Sequence, residues 1–301
     1  MADPRVHPGY RGLASIPGIG NVRFADANIT ARQEVNAPDL IMGDWDHDAY
    51  VYGKIEVGGT ISGPVTETFV AGGGSGVLGW ALTRTGNCGT LSEEEITLYY
   101  YCGTGTGNNS RTFTNMFVNS LGFSCAAGDV ANFTIDVRGR YAGEWASGDP
   151  PHFTDAEKLI TWDKVAVSVT GGGVPTTTLA YSNFDLTVNN NVEAVYALNA
   201  GSGGVGVPDL FPYEVVPGLR TITGTLSVYD TPEFDGFDHW DDYLAADVST
   251  LTFTLGAGAG TITLDTKVRF HRIEPASSVS PIISTVGFTG VSHQTGFPWE
   301  A

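Results

Sequence analysis

Asp44-Trp45-Asp46-His47-Asp48 places three carboxylates at alternate positions, the opening of a calcium loop in which they would converge on one hard cation. The pattern then departs from that loop. Ala49 stands where an EF-hand needs glycine, and Ile55 where it needs a bidentate glutamate. Weak Ca²⁺ or Mg²⁺ binding is the only metal chemistry this incomplete set supports, and no metal site is assigned to it. A second acidic group, Asp235, Asp238, His239, Asp241 and Asp242, reads as the solvated face of a helix.

Gly74-Ser75-Gly76-Val77-Leu78-Gly79 and Gly201-Ser202-Gly203-Gly204-Val205-Gly206 both fit GxGxxG. Cradling a dinucleotide requires that motif between a strand and a helix, inside alternating βαβ units that this chain lacks. The first match reads as a turn into a helix, and the second, running into Val207-Pro208, as a loop. There is no GxSxG, HExxH or Walker lysine, and His7, His47, His152, His239, His271 and His293 are scattered without ligand spacing. Paired carboxylates for glycoside hydrolysis stay open, because their separation of about 5–9 Å belongs to the fold. No catalytic or cofactor-binding residue is assigned, and no enzyme is expected. Cys88, Cys102 and Cys125 lack CxxC spacing and are odd in number, so buried thiols are the simpler account, with a Cys88–Cys102 bridge as the alternative.

The elements that position these groups are strands. Forty glycines and fifteen prolines cut the 301 residues into short pieces. KIEVGGTISG, NFTIDVRG, LAYSNFDLTV, TITGTLSVY and STLTFTLG alternate apolar with polar residues, the pattern of a half-buried strand. Two stretches read as helices: 74–85, with Val77, Leu78, Ala81 and Leu82 on one face, and 231–247, with Thr231 as N-cap and Phe237, Trp240 and Leu244 on one face. Thr154 and Glu157 have capping-box spacing for one further turn. At 42% hydrophobic content, with no apolar run near the ~20 residues that span a bilayer, the chain has the material for a large core.

Charge narrows the partners. Thirty-three acidic residues against fifteen basic give a formal net charge of −18, which disfavours tight binding to a phosphate backbone. The four lysines are Lys54, Lys158, Lys164 and Lys267. Low lysine with abundant Asp, Thr, Val and Gly fits either plain solubility or a halophilic protein, since in molar salt the Debye length falls to ~3 Å and self-repulsion is screened.

Two stretches follow one plan. NIT, VNAPDL and GKIEVGGTISGPV lie within 28–65, and DLT, LNA, VPDLF and LRTITGTLSV within 185–228. Each is a short strand, a Pro-Asp-Leu loop (Pro38-Asp39-Leu40 and Pro208-Asp209-Leu210), then a strand through Gly59-Thr60-Ile61-Ser62 or Gly224-Thr225-Leu226-Ser227. MFVNSLGFSCAAGDVANFTIDVRGR (116–140) and KVRFHRIEPASSVSPIISTVGFTGV (267–291) would each close one copy, which marks an internal repeat of one β-module. The division expected is an extended N-terminal arm at 1–19 with no apolar signal run, a first module at 20–143, a Pro- and charge-rich linker at 144–160, and a second module at 161–301.

LAYSNFDLTVNNNVEAVYALN followed by PYEVVPGLRTITGTLSVYD resembles the tail tube proteins of long-tailed phages and related viruses. The motif residues are Asn189, Asn190, Asn191 and Val192, then Gly218, Arg220, Ile222, Thr223, Gly224, Thr225 and Leu226. VRFHR, STVGFTGV and FVNSLGFSCAAGDVANFTIDVRG are similar to further segments of that family, and the likeness runs over most of 20–292. The first half has Ala31-Arg32-Gln33-Glu34 where the second has its asparagine turn, and 86–111 has no counterpart.

The resemblance implies a mainly β fold of two tandem β-sandwich modules, each with one short helix, oligomerising into a β-barrel ring. It implies a structural virion protein of the virus tail, assembled in the host cytoplasm. Its rings would stack through the arm and through loops 199–213 and 36–49 into a conduit for DNA ejection. Partners would be copies of itself and other tail proteins such as the tape measure, terminator and distal tail protein. DNA would pass an acidic lumen without specific binding. Two modules per chain favour a trimeric, pseudo-hexameric ring, with a hexamer as the competing arrangement. Two other readings remain: another tail or baseplate ring protein on the same module, or an extracellular cation-stabilised β-protein that binds or cleaves glycans.

Overall fold

The structure is a computed structural model that describes residues 12–16, 20–36, 51–67, 69, 77–82, 84–85, 90–99, 110–147, 158–171, 174–178, 180–196, 210–229, 249–256, 262–275 and 283–290. It is mainly β. The first half carries β1 (Gly12–Ile16), β2 (Gly20–Phe24), β3 (Asp26–Ala27), β4 (Thr30–Asn36), β5 (Val51–Pro64), helix α1 (Val77–Leu82), β6 (Arg84–Thr85), β7 (Thr90–Leu91), β8 (Glu94–Tyr99), β9 (Ser110–Ala126) and β10 (Asn132–Ala146). The second carries β11 (Val165–Gly171), β12 (Val174–Thr178), β13 (Tyr181–Asn189), β14 (Glu193–Val195), β15 (Glu214–Val216), β16 (Thr221–Tyr229), β17 (Ser249–Leu255), β18 (Ile262–Pro275) and β19 (Ile283–Gly290).

Strand pairing follows one order in both halves. In the first, β2 pairs β1, β1 pairs β8, β8 pairs β9, β9 pairs β10, β10 pairs β5 and β5 pairs β3 and β4, all antiparallel. In the second the chain of partners is β12, β11, β17, β18, β19, β16 and β13. Register agrees as well as order. Thr60, Ile61 and Ser62 face Asp136, Ile135 and Thr134, while Thr225, Leu226 and Ser227 face Gly287, Val286 and Thr285. Even the irregularity recurs: Asn119 is skipped between the pairs Asp136–Ser120 and Val137–Val118, and His271 between Gly287–Arg272 and Phe288–Phe270. Each is a bulge, which bends the strand and re-aims its side chains.

Among the described residues the halves share one open sheet of 15 strands rather than closing two separate sheets, because β13 pairs directly with the outer edge of β9. Along that edge β9 is long enough for two partners. Residues 110–116 pair β8, whereas 120–126 pair β13. Alternation then sorts the faces. Phe133, Ile135 and Val137 of β10 are buried while Thr134 and Arg138 are exposed. One core cluster crosses both halves, from Ile16, Trp80, Met116 and Phe133 to Phe184, Phe253 and Phe288. Its rings pack directly, with Phe69 stacked on Phe133 at 4.6 Å and Phe184 5.3 Å from Phe253. Burying one such side chain stabilises by about 1.5–3 kcal/mol.

Several sequence expectations meet the structure here. The alternating runs lie on β5, β10, β13, β16 and β17, and the stretch 74–85 expected as a helix holds α1 at Val77–Leu82 and a short strand at Arg84–Thr85. The helix expected at 231–247 and the turn at Thr154–Glu157 lie outside the described residues. Part of the expected arm is structured instead. Gly12–Ile16 is β1, paired on both edges, with Ala14 and Ile16 buried, so the apolar face of GLASI completes the core. At the other boundary, β10 runs through Ala146 and thus into the segment expected as a linker.

Gly59 and Gly224 hold corresponding places and are both crowded. A Cβ on Gly59, whose φ is +152°, would sit 2.5 Å from the Asn28 carbonyl oxygen and 2.7 Å from Ile29 Cα. On Gly224 it would meet the Asp185 carbonyl oxygen and the Phe288 ring, each at 2.4 Å. Alanine at either position should destabilise the chain by about 1–3 kcal/mol, read as a lowered urea midpoint.

Candidate assembly interface

The sequence motif converges at the junction of the halves. After β13 the chain turns at Asn190 and Asn191, and Asn191 takes a left-handed φ of 50° that asparagine tolerates better than most residues. Its N–H donates to Asn189 Oδ1 at 2.8 Å, and its own side chain donates to the Leu219 carbonyl. Gly218 closes the turn by donating its N–H to the carbonyls of Asn190 and Asn191 at 3.0 and 2.9 Å. A Cβ there would lie 2.6 Å from the Asn191 carbonyl oxygen, so the close approach itself requires glycine.

Asn190 is wholly buried. Its Nδ2 donates to the Ala81 carbonyl of α1 at 2.9 Å and to the Val118 carbonyl of β9 at 3.0 Å, and its Oδ1 accepts from Arg220 Nε at 2.8 Å. Its backbone N–H donates to the carbonyl of the bulged Asn119 at 2.7 Å. Asn119 in turn accepts the Val192 N–H on its Oδ1 at 2.8 Å and donates through Nδ2 to Asp136. The bulge on β9 is thus a socket for the turn after β13. No motif singles out Asn119 in the sequence, yet it leaves a signal there. In Val118-Asn119-Ser120-Leu121 two polar residues interrupt the alternation, as His271-Arg272 do between Phe270 and Ile273.

A ribbon of β14 and β15 then lies back over the first half. Tyr196 Oη donates to the Ile55 carbonyl at 3.0 Å, Ile55 N–H donates to the Leu210 carbonyl at 2.8 Å, and Arg140 Nε donates to the Pro212 carbonyl at 3.3 Å. Phe211 meets Tyr141 edge-on at 5.0 Å. Beneath it a cleft of about 270 Å³ is lined by Arg32, Glu56, Asp136, Arg138 and Tyr196 among others, with both signs of charge represented. Lys54 lies 2.7 Å from Glu56 and 5.4 Å from the centre of the Tyr196 ring, an exposed cluster worth little by itself. Of the expected loop 199–213, only the end from Leu210 onward is described, and it packs on its own chain.

Most of the other residues singled out for chemistry fall where no position is described. Asp44, Asp46 and Asp48, the cluster at 235–242, both glycine-rich starts, Cys88 and Cys102 lie outside the described residues. Among the described residues no group of three or more His, Cys, Asp or Glu could hold a metal ion. Cys125 is a free, buried thiol on β9, and burial, reinforced by the nearby Asp129 charge, pushes its pKa up to about 11. At pH 7 it is therefore almost wholly protonated, so thiol reagents should leave it unlabelled until denaturant is added, as counted by mass spectrometry. Asn190→Ala strands buried carbonyls and removes an acceptor from Arg220; it should cost about 3 kcal/mol in urea unfolding.

Comparison with known families bears on what such a junction is for. A family model described as phage tail tube protein matches residues 6–294, nearly the whole chain. A comparison with curated proteins found no match. The matched span takes in the strands of both halves and the asparagine turn between them, and the chain belongs to the phage tail tube protein family.

Proposed function

We propose that the chain is a structural, non-enzymatic subunit of a virus tail tube, built from two copies of one β-module and assembling with itself into stacked rings around the path of the genome. The observation that carries this reading is the state of the central sheet. One face is sealed by α1 and the core. The other is open above the Asn119 bulge, and among the described residues the sheet does not close on itself within one chain. Strand edges left open invite pairing with another chain, and closure into a barrel removes them. With one side already covered, curling with the bare side inward leaves that cover on the outside.

That bare side suits a conduit. The stretches 57–64, 120–126, 132–137, 183–189 and 221–229 of this sheet contain no lysine or arginine, and Arg138 follows on the same exposed face of β10 as Thr134. Their positions off the core carry Thr60, Ser62, Ser120, Ser124, Thr134, Asn183, Thr187, Thr223 and Thr225, with Asp136 and Asp185 as the carboxylates. Phosphates moving past these stretches meet hydroxyls and a few negative charges, and the adjoining Arg138 shares its cleft with Asp136 and Glu56. The wall is thus mildly acidic, and most of the −18 formal charge lies elsewhere. Assembly in a host cytoplasm rich in salt would fit so acidic a chain.

Matching pairing order in the halves supports a reading of two module positions per chain, on which six positions need three chains. Purified protein in high salt should form rings or short tubes in negative stain. Native mass measurement of a single ring should give three 31.8-kDa chains. Six chains per ring would leave one half of each outside the barrel and overturn the two-module lumen; a strict monomer at high concentration would overturn the tube reading itself.

A further inference from the structure

The junction inside one chain serves as a template for a junction between chains. Strand β13 enters beside β9 with Thr187 opposite Gly122, Val188 opposite Leu121 and Asn189 opposite Ser120, just beyond the Asn119 bulge. Each of these residues has a counterpart in the other half. Thr30 pairs with Gly58 as Thr187 pairs with Thr223, and Gly58 stands two positions before Thr60 as Thr223 stands two before Thr225. By the same count Ala31, Arg32 and Gln33 match Val188, Asn189 and Asn190. On the other strand, Glu274 pairs with Thr285 as Gly122 pairs with Thr134, and Ile273 and Arg272 match Leu121 and Ser120. The sides of β4 away from β5 and of residues 272–275 away from β19 have no strand partner among the described residues.

We propose that β4 of one copy pairs antiparallel with β18 of the next, with Thr30 opposite Glu274, Ala31 opposite Ile273 and Arg32 opposite Arg272, and with Gln33 set against the His271 bulge as Asn190 is set against Asn119. This rests on the assembly proposed above and gives it an address. Gln33 is exposed in the single chain, whereas its counterpart Asn190 is wholly buried by the joint it makes. A primary amide suits both sites because it can donate to a strand carbonyl, as Asn190 does to Val118; Ile55 stands where the second half has Arg220, so the acceptor partner differs. The backbone edges on either side then satisfy each other. Two arginines directly opposite oppose the joint, but Glu56 stands across from Arg32 on β5, so a carboxylate is already in place beside the pair.

Two joints of unlike strength follow. The β9–β13 joint lies within one polypeptide and carries the Asn119–Asn190–Arg220 network, while the β18–β4 joint lies between polypeptides and has Gln33 in place of asparagine. Rings should therefore come apart into whole chains, at the second joint only.

Cysteine pairs test the register. Residues directly opposite in an antiparallel pair lie about 4.5–5.5 Å apart at Cα, within disulfide reach, while diagonal pairs lie at about 7–8 Å. Assembled Thr30→Cys/Glu274→Cys protein, mildly oxidised, should give a ladder ending at a three-chain species on a non-reducing denaturing gel. Thr30→Cys/Arg272→Cys, out of register by two, should not, and each single variant sets the baseline from native thiols. Rings that form without the in-register cross-link, or that link equally well in both pairs, overturn the joint alone. A wild-type chain that never assembles overturns the tube reading and the joint with it. Gln33→Ala provides a check independent of the cysteines. It should leave the urea midpoint of the dissociated chain unchanged and weaken ring association at least tenfold; unchanged association overturns the role given to Gln33.

Discussion

A carboxamide can be buried only where its donors and its acceptor are all met, and at Asn190 the partners come from three separate parts of the chain. Ala81 belongs to the helix of the first half, Val118 to its longest strand, and Arg220 to the second half. None of these contacts is local in sequence. The amide can be satisfied only when α1 is seated on β9, β13 has paired with β9 in the right register, and the chain has returned through Gly218. A one-residue slip of β13 would turn Phe184, Leu186 and Val188 out of the core as well as orphaning the amide, so packing and polar pairing select the same register.

The bulge at Asn119 makes this arrangement accessible. Without it, β9 would run straight and present one edge to one neighbour. With it, the strand bends between residues that serve β8 and residues that serve β13, and it exposes a carbonyl and a side-chain oxygen to the incoming turn. One extra residue therefore lets a single strand belong to two layers.

Much of this was legible in the residues, because alternation reports which face is wet. The runs through Gly59-Thr60-Ile61-Ser62 and Gly224-Thr225-Leu226-Ser227 fall on strands in matching register, and Asn190, Gly218 and Arg220 stand together as their shared motif suggests. What escaped the sequence has physical reasons. Alternation within β9 and β13 says that each is half buried but not which strands they pair, so the direct link between the halves was hidden. GLASI, flanked by Pro8 and Pro17, looks like an arm until β2 and β8 supply both its edges. The folding back of β14 and β15 depends on single contacts, such as Tyr196 to Ile55, that no periodicity encodes.

In the proposed ring, the covalent link between the halves would also change the kinetics of closure. Six separate modules must meet through a succession of encounters, each with its own dilution penalty, and partial arcs fall apart while they wait. Because β9 and β13 belong to one polypeptide, every second junction of the proposed ring would be made during folding, at an effective concentration set by the tether, on the order of millimolar for short connections. On the three-chain reading, ring closure then requires two encounters and one final intramolecular step. The rate of ring completion then depends less steeply on protein concentration, so rings can still close as the pool of free subunits runs down.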